Sequence, residues 1–316
     1  MKILIPPRIG IFFGILASST AAIFIRYAQD YAPSLVIAAF RLSFASLILV
    51  PFVLTRKRRE IFELKLRYVI LSAIAGIFLA LHFATWISSL DYTSVASSVV
   101  LVSIAPLFVA LLSPLLLNEP INRNSKYGLL LSLIGIVLIG LSDACYLEGR
   151  IACPPAQSLL AGEAIKGDLL AIAGAITVTG YMLIGRSLRN QLSLLSYISL
   201  AYGTAAVVLV VIAVAAGLPF TGYPPIAYLL FLLLALIPQL IGHTTINWAL
   251  RFLPAVYVAI ALLLEPVASS LWAYIFLGER PSWLMLIGAV LVLCGVGIAS
   301  LPPTTQEEAG IKIAGT

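Results

Sequence analysis

The residues best suited to chemistry in this chain are charged or hydrogen-bonding groups set deep in apolar runs. Glu265 stands midway through AVYVAIALLLEPVASSLWAY. His82 and Trp86 are four apart in one run, and His243 and Asn247 have the same spacing in another. On a helix that spacing puts each pair on one face. Arg41 sits about a third of the way into its run, and Thr177 and Tyr181 are again four apart. Ionisable groups at such depth are expensive in lipid and point to function. Glu265 could bind a substrate ammonium, carry a coupling proton or pair with Arg41. Arg41 could reach the interface along its aliphatic stem or clasp a substrate carboxylate with its planar fork; a structural pair is the favoured expectation. A lone His in an apolar helix is usually a satisfied interior group, but two at matching positions bring in a cavity-lining reading. Trp86 could stack on a ligand, Tyr181 and Thr177 offer hydroxyls, and Trp248 reads as packing or an interface anchor. Pro266 has no N–H to give the helix, so carbonyls one turn back, near Leu262, should be free to face a polar ligand. The candidate binding set is therefore His82, Trp86, His243, Asn247, Glu265, Arg41, Tyr181 and Thr177. No catalytic set, metal site or cofactor is expected.

Composition says what must position these groups. Of 316 residues, 61% are hydrophobic and 10% charged, and the mean hydropathy is +1.09. A soluble domain is roughly a quarter charged, so the solvent of this chain is lipid. About 20 apolar residues cross a bilayer as a helix. Ten spans are expected, near 9–28, 34–54, 67–90, 94–117, 126–142, 166–188, 193–216, 226–250, 254–277 and 282–301. They run too long and lack the period-2 alternation of barrel strands. Residues 1–22 also resemble a signal peptide, but removing them would leave an odd number of spans. The net charge of +6 sits in loops, where it reports orientation and anionic-lipid contact rather than nucleic acid. With the N-terminus inside, fourteen of the nineteen Lys and Arg fall on that side and four on the other, Arg41 lying within a span. Both termini are thus expected in the cytoplasm, with RKRR at 56–59 anchoring the inner leaflet. The loop 143–165 is then external, and Cys145 and Cys153 in it could form a disulfide or stay as thiols. Cys294 reads as packing.

The chain repeats itself. With a shift of 160, residues 88–141 align with 248–301 without gaps, matching Pro106 to Pro266, Glu119 to Glu279, Gly128 to Gly288 and Gly135 to Gly295. His82 matches His243 after a one-residue adjustment. Five spans precede the long loop and five follow it, so the halves must be inverted in the membrane. The expected division is 9–142, the loop 143–165, 166–301 and a cytoplasmic tail 302–316. Gly128 and Gly135, like Gly288 and Gly295, share a helix face and read as close-packing points. Glu119 and Glu279 stand at helix ends, where a carboxylate favours the start of the next helix. Ala105 is the mate of Glu265, so the candidate site is not symmetric.

Several stretches together, AAFRLSFASLILVPF, HFATWISSLDYTSVASSVVLVSIAPLF, LLLNEP and LLLEPVASSLWAYIFLGERP, resemble the ten-helix, EamA-type members of the drug/metabolite transporter superfamily. The resemblance covers about residues 9–301. It implies an all-α integral membrane fold of ten transmembrane helices, arranged as two inverted five-helix repeats around a central cavity. It also implies alternating access and traffic in small polar metabolites, often amino acids leaving the cell. The small four-helix members couple to protons through a Glu in the first helix; this first span has no carboxylate, so that coupling is not carried over.

The expected function is a secondary transporter in the cell (inner) membrane, with a small-molecule substrate, the lipid bilayer as its surroundings and no nucleic-acid partner; whether it works as a monomer is left open. An intramembrane enzyme is one alternative, but no two acids in a span have the DxxD or DxxxD spacing that holds Mg²⁺, and no G-x-S-x-G turn occurs. A channel is the other, distinguished by flux that does not saturate.

Overall fold

A computed structural model describes residues 6–93, 95–144, 146–147, 151–152, 163–278 and 281–302. Cys145, Cys153 and Glu279 lie outside these residues. The described chain is helical, apart from a two-residue antiparallel ladder pairing β1 (Tyr146–Leu147) with β2 (Ile151–Ala152). The first helical stretch is α1 (Pro7–Ser18) and α2 (Ala21–Gln29), followed by α3 (Ser34–Arg56), the short α4 (Arg58–Phe62) and α5 (Leu66–Ser89). Then come α6 (Val95–Val102), α7 (Ala105–Leu116), α8 (Arg123–Ala144), α9 (Glu163–Leu188) and α10 (Leu194–Ala215). Next, α11 (Pro225–Leu234) runs through a π-helical segment, Ala235–His243, into α12 (Thr244–Ala249). The last helices are α13 (Ala255–Leu262), α14 (Leu264–Leu277) and α15 (Trp283–Ala299).

Among the described residues, seven helices are long and apolar enough to cross a membrane. Two further expected spans contain shorter apolar helices, Val100–Leu116 and Trp283–Ala299. The fourth expected span is shortened because its helix is interrupted at Ser103 and Ile104, just ahead of Pro106. The fifth lies in α8, whose first residues include Arg123 and Lys126.

The breaks have local causes. Pro106 and Pro266 each follow an interruption by a few residues, because proline has no N–H for the preceding turn and its ring crowds it. Between α1 and α2 the hydroxyls of Ser19 and Thr20 donate to Leu16 O at 2.9 Å and Ala17 O at 2.7 Å. Such back-bonding competes with the helix ladder and bends it. Pro238 lies inside the π-helical segment, where i→i+5 bonding absorbs a residue that cannot donate. Asn118 (φ 54°) and Gly278 (φ 69°) follow α7 and α14 in the left-handed conformation that ends helices. They too are 160 residues apart.

The most extensive packing is between α8 and α15, then between α5 and α9. A methyl group at Gly128 would meet the carbonyl of Gly295 at 2.5 Å, and one at Gly135 the carbonyl of Gly288 at 2.6 Å. The four glycines therefore let two antiparallel backbones touch, the role their spacing suggested. With little hydrophobic force between helices in lipid, this contact is what holds them together. Cys294, on α15, faces outward from the bundle.

The basic run is tied down by Glu60. Its Oε2 pairs with Lys57 Nζ at 2.7 Å, and Oε1 accepts from the backbone N–H of Ser193 at 3.0 Å. Burial alone would raise its pKa, but the hydrogen bonds from Lys57 and Ser193 outweigh it and hold the carboxyl at about 2 instead of 4.5. A depressed folded pKa adds stability that is complete above the unfolded value and fades only as pH falls toward about 2. Glu60→Gln should therefore speed proteolytic nicking at 56–59 about several-fold, equally at pH 6 and pH 8. A difference between those two pH values would contradict this account.

Candidate functional site

The four irregular points converge. The α1–α2 break, the α6–α7 break, the π-helical segment and the α13–α14 break each contribute to the wall of one cavity of about 550 Å³. Interrupted helices around a midplane cavity are how membrane proteins present polar groups without exposing unpaired backbone to lipid. Arg26, Gln29, Pro281 and Ser282 mark one end of this cavity.

Arg41 is the centre of its electrostatics. The side chain is fully buried on α3, so it does not reach the interface. Among the described residues it forms no ion pair with Glu265, contrary to the structural pair expected. Instead its Nε donates to Gln239 Oε1 at 2.9 Å, and the guanidinium lies 4.2 Å from the centre of the Phe83 ring. Its Nη1 and Nη2 have no hydrogen-bond partner. Leaving charged donors buried and unmet is costly, so this guanidinium is the wall's strongest demand for an anionic group. The π-helical turn places Gln239 to hold Arg41, a contact invisible to 3.6-residue periodicity.

Glu265 lines the same cavity from the start of α14. Its Oε1 accepts from Ser18 Oγ at 2.8 Å, at the α1–α2 break. The neighbouring Ser19 is tied to α14 twice, by Ser269 Oγ donating to its carbonyl and Trp272 Nε1 donating to its hydroxyl. Ser18 is not among the candidate residues; only the fold reveals it as the carboxylate's partner. Leu262, where Pro266 was expected to free a carbonyl, is in the cavity wall.

His82 and Trp86 share a face, as spaced, and stack with ring centres 5.9 Å apart and planes 6° apart. His82 Nδ1 lies 2.9 Å from the carbonyl of Gly174. A carbonyl only accepts, so Nδ1 carries the hydrogen and Nε2 of the neutral ring is left as an acceptor. The Trp86 Nε1–H is buried with no partner. His243 reaches the cavity from the π-helical segment, with Phe83 edge-on at 5.4 Å. Phe83 thus sits between Arg41 and His243, a position its apolar character gave no reason to single out.

Two of the eight candidates are absent from the cavity wall. Asn247 is fully buried behind it, donating to Tyr181 OH at 2.5 Å and to Tyr202 OH at 3.3 Å. It keeps the four-residue contact with His243, donating to its carbonyl at 2.8 Å, but its amide is taken up by the two tyrosines rather than by the cavity. Thr177 spends its hydroxyl on its own helix, donating to Ala173 O at 2.7 Å and Gly174 O at 3.1 Å. Tyr181 does reach the wall and carries Asn247 behind it. Trp248 packs against Gly10 and Phe252. Among the described residues no three His, Cys, Asp or Glu side chains gather as metal ligands would.

The end of the bundle away from Arg26 carries a second polar cluster. Glu119 does not serve the next helix, α8, as its position suggested. It accepts from the N–H of Ala255, the first residue of α13, and from Arg186. Arg189 likewise turns out to be buried rather than a loop charge, donating to Asn247 O at 3.0 Å and Leu192 O at 2.7 Å.

Comparison with known proteins agrees with this architecture. The EamA-like transporter family matches residues 8–141 and again 165–301. The chain is 25% identical over 294 residues to solute carrier family 35 member G1 of Mus musculus, covering 91% of this chain and 77% of that protein. It is 23% identical over 267 residues to the uncharacterized transporter YxxF of Bacillus subtilis (strain 168), covering 79% and 75%. A solved crystal structure superposes with a TM-score of 0.74 at 18% identity, over 93% of this chain and 96% of the other, a likeness of fold. The chain belongs to the EamA-like transporter family and is a multi-pass membrane transporter.

Proposed function

We propose that the protein is a secondary transporter of small polar metabolites, amino acids or related compounds, which it exports by alternating access. Ten spans form two inverted five-helix halves, 9–142 and 166–301, in the cell (inner) membrane, with both termini cytoplasmic. The substrate binds between the halves. The observation that carries this reading is the wall of the cavity: Glu265 and Arg41, whose two Nη nitrogens are buried without partners, both line it. A molecule bearing both an acidic and a cationic group would satisfy both, with His82, Trp86, His243 and Tyr181 around it. Asn247 and Thr177 act from behind the wall, Asn247 by holding Tyr181. On this topology the Arg26 end faces outward and the Glu119 end faces the cytoplasm.

The test is counterflow with purified protein in liposomes, screened against amino acids, sugars, nucleotides and organic cations. Saturable exchange of zwitterions is the expected result. Linear flux with no exchange would identify a channel and overturn the proposal. The helix breaks before Pro106 and Pro266 serve as flex points. The double variant Pro106→Ala, Pro266→Ala should slow exchange by about tenfold while substrate affinity changes little, since gating motions set many turnover rates. Unchanged rates would remove the prolines from the mechanism.

A further inference from the structure

Opposite the cavity mouth, one carboxylate joins four chain ends. Glu119 follows the left-handed Asn118 at the end of α7. Its Oε1 accepts from Arg186 Nε, at the end of α9, at 2.6 Å. Its Oε2 accepts from the N–H of Ala255, which opens α13, at 3.1 Å. Arg186 Nη1 donates in turn to the carbonyl of Leu250, which closes α12, at 2.6 Å. The two side chains are only 17% and 21% exposed. Exposed pairs contribute little, but a sheltered, charge-assisted pair with both oxygens engaged is a strong tie. The carboxylate also sits against the positive end of α13.

The other end offers a contrast. Arg26 stands exposed at the cavity mouth and has no ion pair among the described residues.

We propose that Glu119, Arg186 and the Ala255 N–H form the latch that holds this end shut, and that the cavity opens there only when the latch parts. The proposal rests on the alternating-access reading, but its test needs no substrate. A parent with Cys145, Cys153 and Cys294 replaced by Ser receives Val258→Cys. Val258 lies one turn beyond Ala255, fully buried and outside the cavity wall. A second reporter, Ser270→Cys, sits in the cavity wall. Full-length protein in oriented vesicles is labelled with a membrane-impermeant maleimide from the Glu119 end for the first reporter and from the Arg26 end for the second.

Glu119→Gln keeps an acceptor for Ala255 and drops the charge. It should raise labelling at 258 by at least about tenfold as the open population grows, while labelling at 270 holds or falls. Arg186→Gln should do the same, and Arg186→Lys, which retains the charge, should raise it less. Labelling at 258 within about twofold of the parent in both Gln variants would overturn the latch. A parallel rise at 270 would also overturn it, because that marks general loosening of the fold. A latch that opens as expected in a protein showing no counterflow would leave the gate standing and count against the substrate reading alone.

Discussion

Arg41→Gln is expected to cripple counterflow in liposomes while leaving the protein as stable as its parent, or more so. The two effects have one cause. Nη1 and Nη2 are buried without hydrogen-bond partners, and an unmet buried charge destabilises the fold. On the proposed function, the substrate's anionic group would meet those nitrogens. Removing one partner of a buried charge pair at a binding site costs about 2–5 kcal/mol, so kcat/KM should drop by at least about thirtyfold. Gln still offers a side-chain amide to Gln239, which limits collateral damage. Arg41→Lys keeps the charge but loses the planar fork, and should bind weakly rather than not at all. Thermal unfolding in detergent gives the stability arm, and counterflow gives the functional arm. A destabilised Arg41→Gln with normal transport would reverse both signs and show Arg41 to be a structural residue held by Gln239 and Phe83.

The second large effect is at Glu265. Glu265→Gln preserves an oxygen to accept from Ser18 Oγ, so the α1–α14 contact should survive and the protein should insert normally. The negative charge is gone, and with it the partner for a substrate ammonium or the carrier of a coupled proton. Exchange of zwitterions should fall by about two orders of magnitude, as expected for losing a charge-assisted contact in a low-dielectric cavity. The pH profile separates the two roles. If the carboxylate carries a proton through the cycle, the wild-type rate varies with pH and the residual rate of the variant is flat. If it binds only the ammonium, an analogue lacking that group should be transported equally by both proteins. A variant with the full wild-type rate and the same pH–rate curve would exclude Glu265 from both roles. Because Arg41 and Glu265 face one space, their effects should not add: the double variant should be little worse than either single one.

Some of this was legible in the residue pattern, for reasons that are local. A lipid-embedded chain must satisfy its own backbone, so long apolar runs had to be helices, and prolines had to interrupt them. The breaks before Pro106 and Pro266 follow from residue type, and the spacing of Gly128 with Gly135 and of Gly288 with Gly295 marks them as close-packing points, though not which glycines meet. So does the presence of a few polar groups at depth, since nothing but function or a partner repays placing them there. Spacing also sufficed for His82 and Trp86, because α5 is an uninterrupted α-helix.

What the residues could not disclose is which polar groups share a space. Arg41 and Glu265 are 224 positions apart, and whether they meet, or stand apart and leave charges unmatched, is decided by how four broken helices converge. Nothing in the residue pattern singled out Ser18 or Gln239; the fold sets them beside those charges. Asn247 fell out of the wall because Tyr181 and Tyr202, from two other helices, take up its amide. Glu119 was read as serving its neighbour in sequence, and instead it bridges to α9 and α13. Local periodicity assigns a side chain to a face of its own helix. Only tertiary packing decides what that face meets, and in a membrane that packing determines which charges are paired and which are left for a ligand.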